Sequence, residues 1–79
     1  METTLNSLTP GERATVVRIA TSASNVRQRL LEMGLTKGTA IEIIRYAPMG
    51  DPIEVQVKGY RLSLRHEEAA SIVIRKNGK

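Results

Sequence analysis

The sequence predicts a small, mainly β domain: a five-stranded SH3-like barrel with one short helix. Three neighbouring stretches carry this prediction: the first is rich in residues that favour strands, and in the other two apolar and polar residues alternate with the period of a half-buried strand. They are Ile41 to Tyr46, Ile53 to Lys58, and Arg61 to Arg65. Short turns separate them, so they form an antiparallel meander. One further strand at each end of the chain completes a small barrel.

The length and composition indicate one domain spanning residues 1–79, with an ordered core at about 5–75. Apolar residues make up 41% and charged residues 25%, which is ordinary for a globular protein. The chain has no cysteine, which excludes disulfides and thiolate metal sites. We find neither a signal peptide nor an apolar run approaching the ~20 residues that span a bilayer. We therefore expect a cytoplasmic protein.

The first strand is predicted from Ala14 to Ile19, with Val17 and Ile19 on its buried face. Before it, Pro10 and Gly11 suit the central positions of a type II turn, because proline restricts φ and glycine accepts positive φ. Leu5 and Leu8, which precede this turn, should lie beneath the barrel.

The helix is predicted from Ser24 to Met33, since Val26, Leu30 and Met33 follow helical spacing. Gly34 should end it as a left-handed cap, with the apolar contact between Leu30 and Leu35 that a Schellman motif requires. The candidate N-caps are Ser22, Ser24 and Asn25.

The segment Leu35-Thr36-Lys37-Gly38 repeats the pattern of Leu8-Thr9-Pro10-Gly11. Each pattern precedes a strand, so we interpret the two as the same turn chemistry used twice.

The end of the chain is predicted as a helical turn at His66–Ala70 and a last strand at Ser71–Arg75, with residues 76–79 fraying. The predicted core consists of Val17, Ile19, Val26, Leu30, Met33, Ile43, Val55, Val57, Leu62, Leu64 and Ile72.

Four segments at this spacing resemble the ferrous iron transport protein A (FeoA) family. They are Arg29-Leu30-Leu31-Glu32-Met33-Gly34-Leu35, Ala47-Pro48-Met49-Gly50-Asp51-Pro52-Ile53, Leu62-Ser63-Leu64-Arg65 and Ala69-x-x-Ile72. The resemblance extends from about Leu5 to Ile74. Lys37 stands where the family often has proline, which should loosen that turn. Met49 stands where the family often has leucine, a change that conserves volume.

The resemblance implies an SH3-like fold and a small cytoplasmic accessory to FeoB, the membrane ferrous-iron transporter with a G-protein domain. It implies no catalytic residues and no cofactor. The residues agree, because the acids form no evident catalytic pair and the single histidine has no nucleophile partner in sequence. We therefore expect a protein that is not an enzyme. Weak self-association remains open.

The candidate partner-binding residues lie mainly in the loop between the first two meander strands. They are Pro48, Met49, Gly50, Asp51 and Pro52, with Arg29 on the helix. Two prolines restrict this loop, so its ordering on binding costs little entropy. Met49 is either an exposed anchor or a cap on the end of the barrel, and the sequence does not separate these alternatives.

Arg27 and Arg29 could reach a partner's phosphates as an arginine finger. We favour the alternative that their stems cover the apolar face of the helix.

His66, beside Glu67 and Glu68, is a weak candidate metal ligand, because a transition-metal site usually needs three or four ligands. A solvated helical turn is the favoured interpretation. The segment from Gly34 to Thr39 is not a phosphate-binding loop, since its lysine precedes its glycine and it closes a helix.

The alternative function is that of a basic barrel that binds nucleic acid, suggested by the net charge of +4. Such barrels stack bases on aromatic rings, and this chain offers only Tyr46 and Tyr60. The basic residues are also dispersed among acids. We therefore expect no nucleic acid partner.

Overall fold

The computed structural model describes residues 2–77, which form an antiparallel sheet of six strands with two helices. The sheet order is β1-β6-β2-β3-β4-β5. No helix within the described residues is long and apolar enough to cross a membrane. The strands are β1 (Glu2–Thr4), β2 (Arg13–Ile19), β3 (Ala40–Tyr46), β4 (Ile53–Val57), β5 (Tyr60–Leu64) and β6 (Ile72–Lys76), and the helices are α1 (Ser24–Glu32) and α2 (His66–Ala69).

The predicted number of five strands is wrong, because β1 adds a sixth. Thr3 of β1 pairs with Ile74 of β6. A strand of three residues is too short to show a period of two in the sequence. A 3₁₀ turn at Leu5–Ser7 follows it and buries Leu5. In the described residues the order begins at β1 and ends at β5, so the sheet is not a closed barrel.

A β-bulge in β2 overturns the prediction that Val17 is a core residue. Val16 pairs with Ile74 of β6, but the next pair is between Arg18 and Val73. Val17 is the extra residue, and it is half-buried. The bulge places Val16 and Ile19 on the buried face together, which strict alternation does not allow.

The α1 helix begins at Ser24 and is ended by Gly34 as predicted, but its N-cap differs from the prediction. Gly34 has φ +93° and donates its N–H to Leu31 at 2.9 Å, while Leu35 donates to Leu30 at 3.2 Å. These two hydrogen bonds form a Schellman motif, and Leu30 and Leu35 are both fully buried. The N-cap, however, is Ala23, with no side-chain cap hydrogen bond.

Ser22, Ser24 and Asn25 are therefore wrong as N-cap predictions. The side-chain hydrogen bond near the start of the helix comes from Thr21, whose hydroxyl accepts the N–H of the N-cap residue Ala23 at 3.2 Å.

The two turns with the Leu-Thr-x-Gly pattern extend the pairing of β2 with β3 at its two ends. Gly11 donates its N–H to the Ile43 carbonyl of β3, and Gly38 donates to the Val16 carbonyl of β2, both at 2.8 Å. In return, Ile43 donates to Glu12 at 3.1 Å and Val16 donates to Thr39 at 2.9 Å. The interpretation that one turn chemistry is used twice is confirmed.

The chain remains ordered beyond the predicted end of the last strand. Lys76 belongs to β6 and pairs with Ala14, and Asn77 donates its N–H to the Arg13 carbonyl at 3.2 Å. The prediction that residues 76 and 77 fray is therefore wrong. Residues 78 and 79 lie outside the described residues.

The core lies between the curled sheet and α1. Apart from Val17, every predicted core residue is buried or packs against the core partly buried, as Val26, Met33 and Leu62 do. Leu5 and Leu8 lie beneath the sheet as expected. The core also contains residues that the prediction omitted, namely Ala14, Val16, Leu35, Ile41, Ile53, Ala69, Val73 and Ile74.

Candidate partner-binding site

The loop that joins β3 to β4 spans Ala47 to Pro52 and is held by two internal hydrogen bonds. Gly50 donates its N–H to the Ala47 carbonyl at 2.7 Å, and Ala47 donates to the Pro52 carbonyl at 3.0 Å. The Asp51–Pro52 peptide bond is cis. The strands that flank the loop meet at the pair of Tyr46 with Ile53. The loop is therefore a closed projection from the sheet.

Met49 is the most exposed large apolar side chain described, with 92% of its surface accessible. It stands between Pro48 and Gly50 at the tip of the loop. Of the two alternatives predicted for Met49, the exposed position is therefore confirmed, and the position that caps the end of the barrel is wrong. Whether a partner binds Met49 stays a prediction.

Asp51 fixes the loop to the body of the domain. Its Oδ1 atom accepts the backbone N–H of His66, the first residue of α2, at 2.9 Å. A carboxylate at this place satisfies one of the amides that the first turn of a helix leaves without a helical partner. Two of the candidate residues, Asp51 and His66, are thus brought together by a structural contact that sequence spacing did not show.

Arg29 meets α2 through a different residue, Glu68. Its guanidinium forms an ion pair with the Glu68 carboxylate, whose side chain is only 7% exposed. Glu68 also accepts the backbone N–H of Arg65 at 2.8 Å. Because a buried carboxylate needs such partners, Arg29 has a structural role at the junction of the two helices. We call Asp51, His66, Glu68 and Arg29 the α2 bridge.

The guanidinium of Arg27 is also engaged. It donates to the Ile19 carbonyl at 3.0 Å and to the Thr21 carbonyl at 2.7 Å. These contacts, with the ion pair of Arg29, hold both guanidinium groups within the domain and count against the arginine finger. That the stems cover the apolar face of the helix stays a prediction.

His66 does not belong to a cluster of metal ligands within residues 2–77, where no group of three or more His, Cys, Asp or Glu side chains comes together. Of its two acidic neighbours, Glu67 is exposed, while Glu68 is buried against Arg29. The His66 side chain is exposed beside the loop.

Tyr46 anchors the base of the loop to the N-terminal segment. Its hydroxyl donates to the Leu8 carbonyl and lies 3.4 Å from the Asn6 carbonyl. Burial raises the pKa of Tyr46 above its ordinary value, and the nearby Glu12 carboxylate adds to the rise. The phenol therefore stays protonated and continues to donate at physiological pH.

Glu12 joins the first turn to the last strand. It accepts from the Lys76 ammonium at 2.8 Å and from the Thr9 backbone N–H at 2.7 Å. These hydrogen bonds, that of Lys76 first, lower the pKa of the Glu12 carboxyl from 4.5 to about 2.

Tyr60 holds the end of α1 against β5. Its hydroxyl donates to the Met33 carbonyl and lies against Gly34, where an added Cβ would come within 2.5 Å of it. Glycine at this cap is therefore required both by its positive φ and by the close approach of the phenol. Sequence reasoning named both residues but did not connect them.

The comparisons with known proteins agree on the family. The FeoA domain model matches residues 3–76. The chain belongs to the FeoA domain family. This match confirms the resemblance identified from the four sequence segments. FeoA domains are associated with ferrous iron transport.

A curated relative from Porphyromonas gingivalis, an Fe(2+) transport protein A/Fe(2+) transporter FeoB fusion protein, is 37% identical over 70 residues. The match covers 89% of this chain and 8% of that protein. The chain thus spans less than a tenth of the length of this relative.

Two solved structures extend the comparison. A FeoA-like protein from Clostridium acetobutylicum is 37% identical with a TM-score of 0.90, and the match covers 99% of this chain and 90% of that one. FeoA of Stenotrophomonas maltophilia, solved with zinc and described as an SH3 domain protein, is 31% identical with a TM-score of 0.80. That match covers 91% of this chain and 88% of that one. The SH3-like fold is confirmed.

Proposed function

We propose that this FeoA domain is a small cytoplasmic accessory protein of ferrous iron uptake, which regulates a FeoB-type membrane transporter by binding its cytoplasmic side. The observation that carries the proposal is the relative in which Fe(2+) transport protein A and FeoB are one fused chain. Fusion holds two modules at high effective concentration, which favours contact between them. A separate chain of the same family would make that contact between molecules.

The loop Ala47–Pro52 is the surface that suits such a contact. Its internal hydrogen bonds and the Asp51 contact with α2 pre-organise it, so little entropy is lost on docking. Met49 offers a flexible apolar side chain that adapts to an irregular partner surface. The α2 bridge joins the loop to α2 through Asp51, and α2 to α1 through Arg29. Pro48, Gly50, Asp51 and Pro52 shape the loop around Met49.

The direct test is a binding measurement with the full FeoB-type transporter of the same organism in detergent. We expect the chain to be retained by the immobilised transporter and released by an excess of untagged chain. An unrelated SH3-like domain of similar charge serves as the control. Retention equal to that of the control would contradict the proposal.

The isolated chain should neither hydrolyse GTP nor hold ferrous ion tightly. One histidine and no cysteine give too few nitrogen and sulfur donors for a strong site, and no sequence segment has the order of a phosphate-binding loop. Calorimetry with GTP and, without oxygen, with ferrous ion measures both. A stoichiometric submicromolar site on the monomer for either ligand would contradict this part of the proposal.

The structure favours this function over nucleic acid binding. Much of the positive charge on the sheet is neutralised in cross-strand ion pairs, such as Arg13 with Glu42 and Arg45 with Glu54. The domain also has only two aromatic rings for stacking, and the hydroxyls of both are bonded to backbone carbonyls, which fixes the orientation of the rings.

A further inference from the structure

The segment from Lys58 to Arg65 carries positive charge that the domain leaves unneutralised. It contains Lys58, Arg61 and Arg65 and no acidic residue. Within residues 2–77 none of these three forms an ion pair, and Arg61 makes only a 3.4 Å hydrogen bond to the amide of Gln56. The cations of β2, β3 and β6, in contrast, face carboxylates. Among the described cations of the sheet, those without an ion-pair partner therefore lie on β5 or next to it.

That edge also presents unpaired backbone groups. β5 pairs with β4 on one side, and in the described part of the chain no strand lies on its other side. The two-residue turn between Val57 and Tyr60 sets the register, so the N–H and C=O groups of Arg61 and Ser63 point away from β4. Both residues are exposed. Such an edge is a template for a further strand.

The inner side of β5 supplies an apolar surface for the same ligand. Leu64 is buried, Leu62 is half-buried, and Tyr60 is 42% exposed. The apolar side chains on this side of β5 are therefore more exposed towards the beginning of the strand. An added strand could bury its inward-facing apolar residues against Leu62 and Tyr60, while its outward-facing residues would lie beside Arg61.

We propose that the β5 edge binds an extended acidic segment of a partner protein by β-strand addition. The open backbone groups of Arg61 and Ser63 would bind the main chain of the segment, and Lys58, Arg61 and Arg65 would select its acidic side chains. The proposal does not depend on the partner being an iron transporter, so it can fail or succeed separately from the proposed function.

Charge favours this ligand over two others. A second copy of the chain pairing edge to edge would bring its arginines against those of the first, which is unfavourable. Single-stranded nucleic acid would use the charge but not the outward amides and carbonyls, and the edge carries one aromatic ring for stacking.

The test is an NMR titration of the full chain with a blocked peptide in which glutamate alternates with valine and isoleucine. We expect amide shifts concentrated at residues 60–65 and affinity that falls as salt is added. The same peptide with lysine in place of glutamate is the matched ligand control. Equal affinity for the two peptides, or shifts concentrated elsewhere, would overturn the proposal, and so would tighter binding of a mixed DNA oligonucleotide.

Arg61→Gln tests the contribution of charge at the edge, with Arg75→Gln as its control. Arg61→Gln should weaken peptide binding roughly 1.5- to 5-fold, the range for one exposed ion pair. Arg75→Gln, which removes an exposed arginine from β6, should leave binding unchanged. Equal effects of the two substitutions would contradict the assigned edge.

Ser63→Pro removes an outward N–H and keeps the pairing with β4, since proline is tolerated where an edge N–H faces solvent. We expect loss of peptide binding with the fold retained, as judged by the spectrum of residues outside β5. If this variant unfolds, a peptide N-methylated at alternate residues replaces it. Full binding of either the variant or the methylated peptide would exclude strand addition.

Discussion

The turn from Thr9 to Glu12 and the loop from Ala47 to Pro52 are both built around proline and glycine, yet their glycines donate in different directions. Gly11 donates its N–H out of the first turn, to the Ile43 carbonyl of β3. Gly50 donates back to Ala47, within the loop itself.

The side chains differ in the same sense. Leu8, next to the first turn, is 2% exposed, while Met49, at the tip of the loop, is 92% exposed. Glu12 of the turn is bonded to Lys76, so the turn ties three parts of the sheet together. The comparison shows that one composition can close a fold, where its glycine donates to a neighbouring strand, or present a surface, where its glycine donates within the loop.

The largest expected contrast is between Leu8→Ala and Met49→Ala. Removing the buried Leu8 side chain should lower the free energy of unfolding by about 2–5 kcal/mol, because it leaves a cavity in a small core. Truncating the exposed Met49 should change it by less than about 0.5 kcal/mol. Urea unfolding of both variants measures the contrast. Similar losses for the two would show that the loop is as structural as the turn.

A smaller effect is expected at the one place where the loop is tied down. Asp51→Ala removes the acceptor of the His66 N–H and should cost about 0.5–2 kcal/mol, the range for loss of a helix cap. Asp51→Asn retains an oxygen acceptor and is the matched control, with a smaller loss. Thermal unfolding compares them. Equal losses for both would indicate that the charge, and not the hydrogen bond, holds the loop.

The smallest effect concerns pH and belongs to the first turn alone. The pKa of Glu12 in the folded protein is lowered to about 2, so its contribution to stability is present above 4.5 and is lost as the pH falls towards 2. Glu12→Gln should remove part of the pH dependence in that window and leave the profile near pH 7 unchanged in shape. Urea midpoints measured across the window test this. An unchanged slope between pH 4.5 and pH 2 would contradict the assignment.

Much of the fold could be predicted because it follows from local patterns. The alternation along β4 and the Schellman signals around Gly34 depend on neighbours in sequence, and the structure confirms both. The bulge at Val17 could not be predicted, since it arises from the register of β2 against β6 at the far end of the chain. The short strand β1 was missed because three residues are too few to show a period of two.

The candidate site was predicted only in part. The two prolines and Gly50 predicted a restricted loop between β3 and β4, but only the structure shows that Met49 is exposed at its tip. The α2 bridge does not, because its contacts join residues from α1, the loop and α2 that no spacing rule relates. The burial of Glu68 in a short helix would have indicated a partner for its carboxylate, but burial is visible only in the structure.

The measurement that tests the account most directly compares Met49→Glu with Leu31→Glu in binding to the immobilised FeoB-type transporter. Both side chains are exposed, Leu31 on α1 at 42%, so both variants should melt like the unmodified chain. Met49→Glu should weaken binding by at least about 1–2 kcal/mol, roughly 5- to 30-fold, as loss of an interface anchor does. Leu31→Glu should bind unchanged. A Met49→Glu chain that melts normally and binds the transporter fully would contradict the proposal and remove this loop from the interface.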